Sequence, residues 1–64
     1  MVLAKQEDVG HQVVVESREE ASWCPIARGK LAHVSERGKI VVEGEFGVRF
    51  VFDDSPRLRV TRRD

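Results

Sequence analysis

Cys24, His11 and His33 are the one thiol and the two imidazoles of this chain, the first side chains to weigh for nucleophilic or zinc-binding chemistry. A catalytic cysteine needs a base within hydrogen-bond reach and donors for the oxyanion. No spacing in the sequence ties either histidine to Cys24, which lies between Trp23 and Pro25. Cys24 therefore reads as a structural thiol, and His33 as a strand or edge residue. A structural zinc site asks for four Cys or His ligands, and three residues without ligand spacing do not make one. Asp53 and Asp54 are adjacent carboxylates. Neighbours on a strand point to opposite faces, which is wrong for a shared acid and base; before Ser55-Pro56 their plain role is to hydrogen-bond turn amides. Gly44-Glu45-Phe46-Gly47 lacks both the lysine and the following helix that a phosphate loop requires. The expectation is a protein without catalytic residues, cofactor or metal.

The basic residues make the remaining chemical signal. Net charge is zero, yet residues 1–22 hold two basic and five acidic groups, a balance of −3, and residues 23–64 hold nine and six, a balance of +3. Arg28, Lys30, Lys39, Arg49, Arg57, Arg59, Arg62 and Arg63 are the candidate contacts for an anionic partner. Arginine suits phosphate because its planar fork makes two hydrogen bonds at once. If the last two strands form a hairpin, Arg49 neighbours Arg57 or Arg59. The bland counterpart is a solvated face interleaved with Glu43, Glu45 and Asp53. Stacking aromatics, which single-stranded nucleic acid favours, are not expected there, because Phe46, Phe50 and Phe52 read as core. Trp23 and Ile26 are the candidate protein interface, since tryptophan is over-represented among residues that dominate interfaces; a lid over one end of a small barrel is the competing role for Trp23.

The elements that must position these side chains are strands. Val13-Val14-Val15 is β-branched and favours an extended backbone. Ser17–Ala21 reads as a polar loop, and Pro25 argues against a strand running straight past it. Lys30–Ser35 is predicted as a strand with Leu31 and His33 on one face and Ala32 and Val34 on the other. Gly38 supplies a positive φ for the following turn. Ile40, Val42 and Gly44 then lie on one face, Val48, Phe50 and Phe52 point one way, and Leu58 and Val60 point inward. Residues 1–10 read as a short helix or a frayed end, with Gly10 as its stop.

The segment Val34-Ser35-Glu36-Arg37-Gly38-Lys39-Ile40-Val41-Val42 resembles the first hairpin of AbrB-type swapped-hairpin DNA-binding domains. That family continues with a proline and a short helix. Here Glu43-Gly44-Glu45-Phe46-Gly47 leads straight into the next strand, so no residue role carries over.

The expected fold is mostly β, one domain over residues 1–64. It is a five-stranded antiparallel meander curled into a partly open SH3-like or Sm-like barrel. A chain of 64 residues has a small core, contributing on the order of 3–5 kcal/mol. With one cysteine and no zinc ligand set, self-association is the natural further support. A lone thiol suits a reducing, cytoplasmic setting; the N-terminus has no basic leader and long apolar region of a signal peptide, and no apolar run approaches membrane-spanning length. The expected function is a non-catalytic binding module for protein–protein interaction or assembly, with nucleic-acid binding as the alternative. One continuous arginine patch would favour the alternative.

Overall fold

The computed structural model describes residues 4–63; Met1, Val2 and Leu3, in the expected N-terminal helix, and Asp64 lie outside them. A short 3-10 turn, Gln6–Asp8, precedes five strands: β1 (Gln12–Glu19), β2 (Ser22–Val34), β3 (Ile40–Glu43), β4 (Arg49–Phe52) and β5 (Leu58–Arg62). All pairings are antiparallel, in one sheet of order β4-β3-β2-β1-β5. The sheet is not closed, because β4 and β5 form its two edges.

The valine run makes β1, which is longer than the sequence suggests. Glu19 pairs with Ser22, so the expected loop at Ser17–Ala21 shrinks to a turn at Glu20 and Ala21, with Glu20 in the left-handed region at φ 54°.

β2 corrects the sequence reading most. Instead of starting at Lys30, it runs from Ser22 through Pro25. It does so by a bulge: Val15 pairs with Ala27 and Glu16 with Pro25, leaving Ile26 as the extra residue. A bulge is where a strand tolerates a residue without an N–H. A second irregularity leaves Ala32 unpaired between Leu31↔Val42 and His33↔Val41. That extra residue resets the alternation. Leu31 and Val34 both point into the core, while Ala32 and His33 are exposed. The two ladders meet at Lys30, paired to Gln12 of β1 and Glu43 of β3, and Leu31 extends the overlap, pairing with Val42 and donating its N–H to His11 O at 3.0 Å.

The core consists of Val13, Val15, Ala27, Leu31, Val34, Ile40 and Val42 with Ala4, and Phe50, Phe52, Leu58 and Val60 pack partly buried against it. The face shared by Ile40 and Val42 is the core face, and the core assignments of Phe50, Phe52, Leu58 and Val60 hold. Val48 does not stay inside, at 47% exposure. Phe46, expected in the core, is 98% exposed. It sits at the tip of the β3–β4 loop, in the 3-10 turn Glu45–Gly47, with φ 58°. The loop is closed beneath it by Gly44 N–H donating to Val48 O at 2.7 Å. The turn at Gly38 forms with φ 88°, and Gly38 N–H donates to Ser35 O at 3.0 Å.

β5 does not form a hairpin with β4. The connection through Pro56 carries the chain to the opposite edge, where β5 pairs with β1. The expected neighbourhood of Arg49 with Arg57 and Arg59 is thereby excluded by register: β3, β2 and β1 lie between their strands.

Candidate functional site

Strand register assembles one face from residues far apart in sequence. In β1, Val13 and Val15 enter the core, so Gln12, Val14, Glu16 and Arg18 point outward. In β5, inward Leu58 and Val60 leave Arg57, Arg59, Thr61 and Arg63 outward. Pairing aligns these with β2 in four rows: Trp23–Arg18–Arg57, Pro25–Glu16–Arg59, Arg28–Val14–Thr61 and Lys30–Gln12–Arg63. The outer rows at β5 are fixed by Arg18 N–H donating to Arg57 O and Arg63 N–H donating to Gln12 O, both 2.8 Å. The platform is about 20 Å along the strands and about 10 Å across them.

Six cations stand on it, Arg18, Arg28, Lys30, Arg57, Arg59 and Arg63, all exposed; Glu16 is the acid within these rows, and Glu43 of β3 stands opposite Lys30 at their border. Arg18 and Arg57 lie directly opposite each other, an arrangement in which like charges repel. Glu16 is occupied locally. Its Oε1 accepts from Arg59 Nε at 2.9 Å and from Thr61 Oγ1 at 3.1 Å. The hydrogen bond from Arg59 is the main reason its carboxyl is held below the ordinary glutamate range. The Thr61 hydroxyl and the charges of Arg59 and Arg63 add to it, and partial desolvation opposes it.

A folded carboxyl pKa below its unfolded value stabilises the fold above the ordinary glutamate range, and this contribution is lost as pH falls through the lowered value. Glu16→Gln should therefore melt lower than wild type at neutral pH, with the gap closing on acidification below the ordinary glutamate range. Thermal melts of both proteins across that range check this. A gap independent of pH would show that the ion pair does not contribute.

Trp23 belongs to this face, which the sequence did not reveal. Its ring lies under the Arg59 guanidinium, 4.5 Å from centroid to Cζ. Arg59 keeps 48% of its side-chain exposure, so its far side is open. Trp23 and Ile26, grouped by sequence as one protein interface, are separated. Ile26, 48% exposed, lines a different groove of about 410 Å³ with Pro25, Gly44, Glu45, Val48 and Phe50. That groove runs along β2 beyond the end of its pairing with β3.

Of the eight candidate cations, Arg28, Lys30, Arg57, Arg59 and Arg63 share the platform. Lys39 is drawn away to Asp53 at 3.6 Å, and Arg62, whose neighbours on β5 face outward, lies 3.9 Å from Asp8. Arg49 stands opposite Glu43 on the other half of the sheet. Arg18, overlooked in the sequence, completes the set. Its signal was its even spacing from Glu16 and Val14, hidden by the reading of Ser17–Ala21 as a loop.

Cys24 pairs with Ser17 near the start of β2, and His33 sits near its other end. His11 hydrogen-bonds through its carbonyl to Leu31 N–H, also far along β2. Among the described residues no group of three or more His, Cys, Asp or Glu side chains is placed to hold a metal, and no helix is long and apolar enough to cross a membrane.

Compared with known protein families, curated proteins and solved structures, the chain matches none.

Proposed function

We propose that this protein is a non-catalytic binding module whose β2–β1–β5 face takes a nucleic-acid backbone. The observation carrying this is the four-row register, which gathers six cations around Glu16, already engaged by Arg59 and Thr61, with Glu43 only at its border. Phosphate contacts of this kind supply affinity that falls steeply with salt. We also propose that the bent β2, pairing first with β1 and then with β3, curls the sheet into a partly open SH3-like or Sm-like barrel. Such folds host many activities, so the functional reading rests on the face and not on the fold. The test is a titration of oligonucleotide at several salt concentrations, with wild type and with Arg28, Arg57, Arg59 and Arg63 changed to Gln. Curves that coincide would reject the reading.

Protein–protein interaction is the second reading, favoured by Phe46. An aromatic ring in the left-handed region is strained by about 1–3 kcal/mol, and this one buries almost nothing in return. Beside it lie exposed Ile26 and Val48 and the groove they line. Glu45 and Arg28 flank that groove, so a second copy related by a twofold axis could seat Phe46 in it and pair Glu45 with Arg28 reciprocally. Light scattering should then give twice the 7.3 kDa chain mass for wild type and the chain mass for Phe46→Ser. A wild-type monomer at all concentrations would remove self-association from consideration.

A further inference from the structure

We infer that the nucleic acid taken by the β2–β1–β5 face is single-stranded, with a base stacked on the outer side of the Arg59 guanidinium and Trp23 as the backing layer. This rests on the proposed backbone-binding role of the same face. A duplex presents a surface of phosphates with its bases stacked inside, and a purely electrostatic surface is sufficient for it. Here the cations surround a flat stacking element. Trp23 backs Arg59 at 4.5 Å, and Glu16 fixes the guanidinium in place by its hydrogen bond to Nε. Glu16 in turn is held by Thr61. The guanidinium is thus pre-oriented with one face covered and the other open, and a planar cation of this kind stacks on a base as well as pairing with phosphate.

The rows on either side give the strand its path. Arg18 and Arg57, opposed without an acid between them, form one anion-attracting end, and Arg63 with Lys30, which has Glu43 on its other side, forms the other. Val14, 9% exposed although it points outward, gives the middle row an apolar floor between Arg28 and Thr61. A strand laid along the platform places phosphates near both ends and a base over the centre. An acidic protein segment has the charge for these ends, but its carboxylates meet a guanidinium edge to edge through hydrogen bonds and do not stack on its face. The geometry therefore favours a nucleobase polymer over an acidic peptide.

Trp23 is the one tryptophan and the chain has no tyrosine, so intrinsic emission reports on this stack alone. The experiment titrates the intact protein with a twelve-nucleotide single strand, the corresponding duplex, inorganic polyphosphate and polyglutamate, following Trp23 emission and affinity at one salt concentration. The single strand should change the emission and bind about tenfold or more tighter than the duplex or polyphosphate, in line with the stacking contribution of one base. Arg59→Lys, which keeps the charge and loses the plane, should bring the single strand down to the polyphosphate level while leaving polyphosphate binding within about twofold. Trp23→Leu should do the same, and Trp23→Phe should restore most of the difference. Equal binding of single strand and polyphosphate, with unchanged emission, would overturn the stacking inference and leave the backbone-binding reading intact. Tighter binding of the duplex would overturn it likewise. Tightest binding by polyglutamate, or no binding by any polyanion, would overturn both.

Discussion

Replacing Gly29 with alanine unfolds the chain or lowers its melting temperature by about 15 °C or more. Gly29 lies in β2 opposite Val13, where the end of β3 and the start of the β3–β4 loop pass close by. A Cβ there would overlap the carbonyl oxygen of Glu43, stand 2.8 Å from its carbonyl carbon and 3.1 Å from Gly44 Cα. All three are backbone atoms, so no side chain can swing aside. Relief requires β3 to shift against β2, and β3 carries Ile40 and Val42, both fully buried. A protein of this length has about 3–10 kcal/mol of total stability, and forcing even modest extra volume into a packed interior costs about 1–3 kcal/mol. Gly47→Ala is the control. Nothing lies within 4 Å of its Cβ position, and only its φ of +75° opposes the change, a penalty of about 1–2 kcal/mol. Thermal melts of the two variants separate close approach from turn conformation. A Gly29→Ala protein melting within a few degrees of wild type would mean that β2 and β3 do not meet as described.

The change to Gln at Arg28, Arg57, Arg59 and Arg63 together should weaken oligonucleotide binding several hundredfold near 0.1 M salt. It should also make the dependence of log affinity on log salt shallower by about 3. Both follow from about 0.7 counterions released per phosphate contact on a single strand. The melting temperature should fall no further than in Glu16→Gln, because Arg59 is the one of the four that holds Glu16, the other exposed charges contribute little, and removing Arg57 relieves its repulsion of Arg18. A variant changed at Lys39, Arg49 and Arg62, which lie off the platform, should lose far less affinity despite a similar loss of charge. Equal losses from the two sets would mean that net charge, and not the arrangement on β2, β1 and β5, governs binding.

Local signals explain which parts of this molecule were legible from sequence. Ile40 and Val42 alternate with solvent-facing neighbours, and Gly38 marks a tight turn; both features depend only on nearby residues. The outward setting of Arg57 and Arg59 follows in the same way from Leu58 and Val60. The partner of β5 depends on pairing across most of the chain, and no local pattern encodes it. The basic face was therefore visible as a list of residues but not as a surface. Two bulges hid β2. Each inserts one residue, at Ile26 and Ala32, and so breaks the two-residue period on which strand reading relies. Phe46 was misplaced because hydrophobicity alone points inward, whereas its position is set by the loop closed between Gly44 and Val48. Trp23 has no strand signal in the sequence because Pro25 follows it so closely.

The sharing of β2 between its two neighbours bears on how the molecule breathes. β2 is held by β1 along its first part and by β3 along its last, with the two ladders meeting at Lys30. Its amides in the first part are released when the β1 ladder opens and those in the last part when the β3 ladder opens, and either event splits the core that both halves of the sheet share. The edge strands differ: β5 can peel from β1, and β4 from β3, each giving up one ladder. Opening events of unequal free energy are therefore built into the strand order. The proposed binding face straddles that division. Trp23, Arg28 and Lys30 ride on the strand that opens last, and Arg57, Arg59 and Arg63 on or beside one that opens early. A ligand spanning both would clamp β5 down, and its grip would be felt first as slowed exchange at that edge.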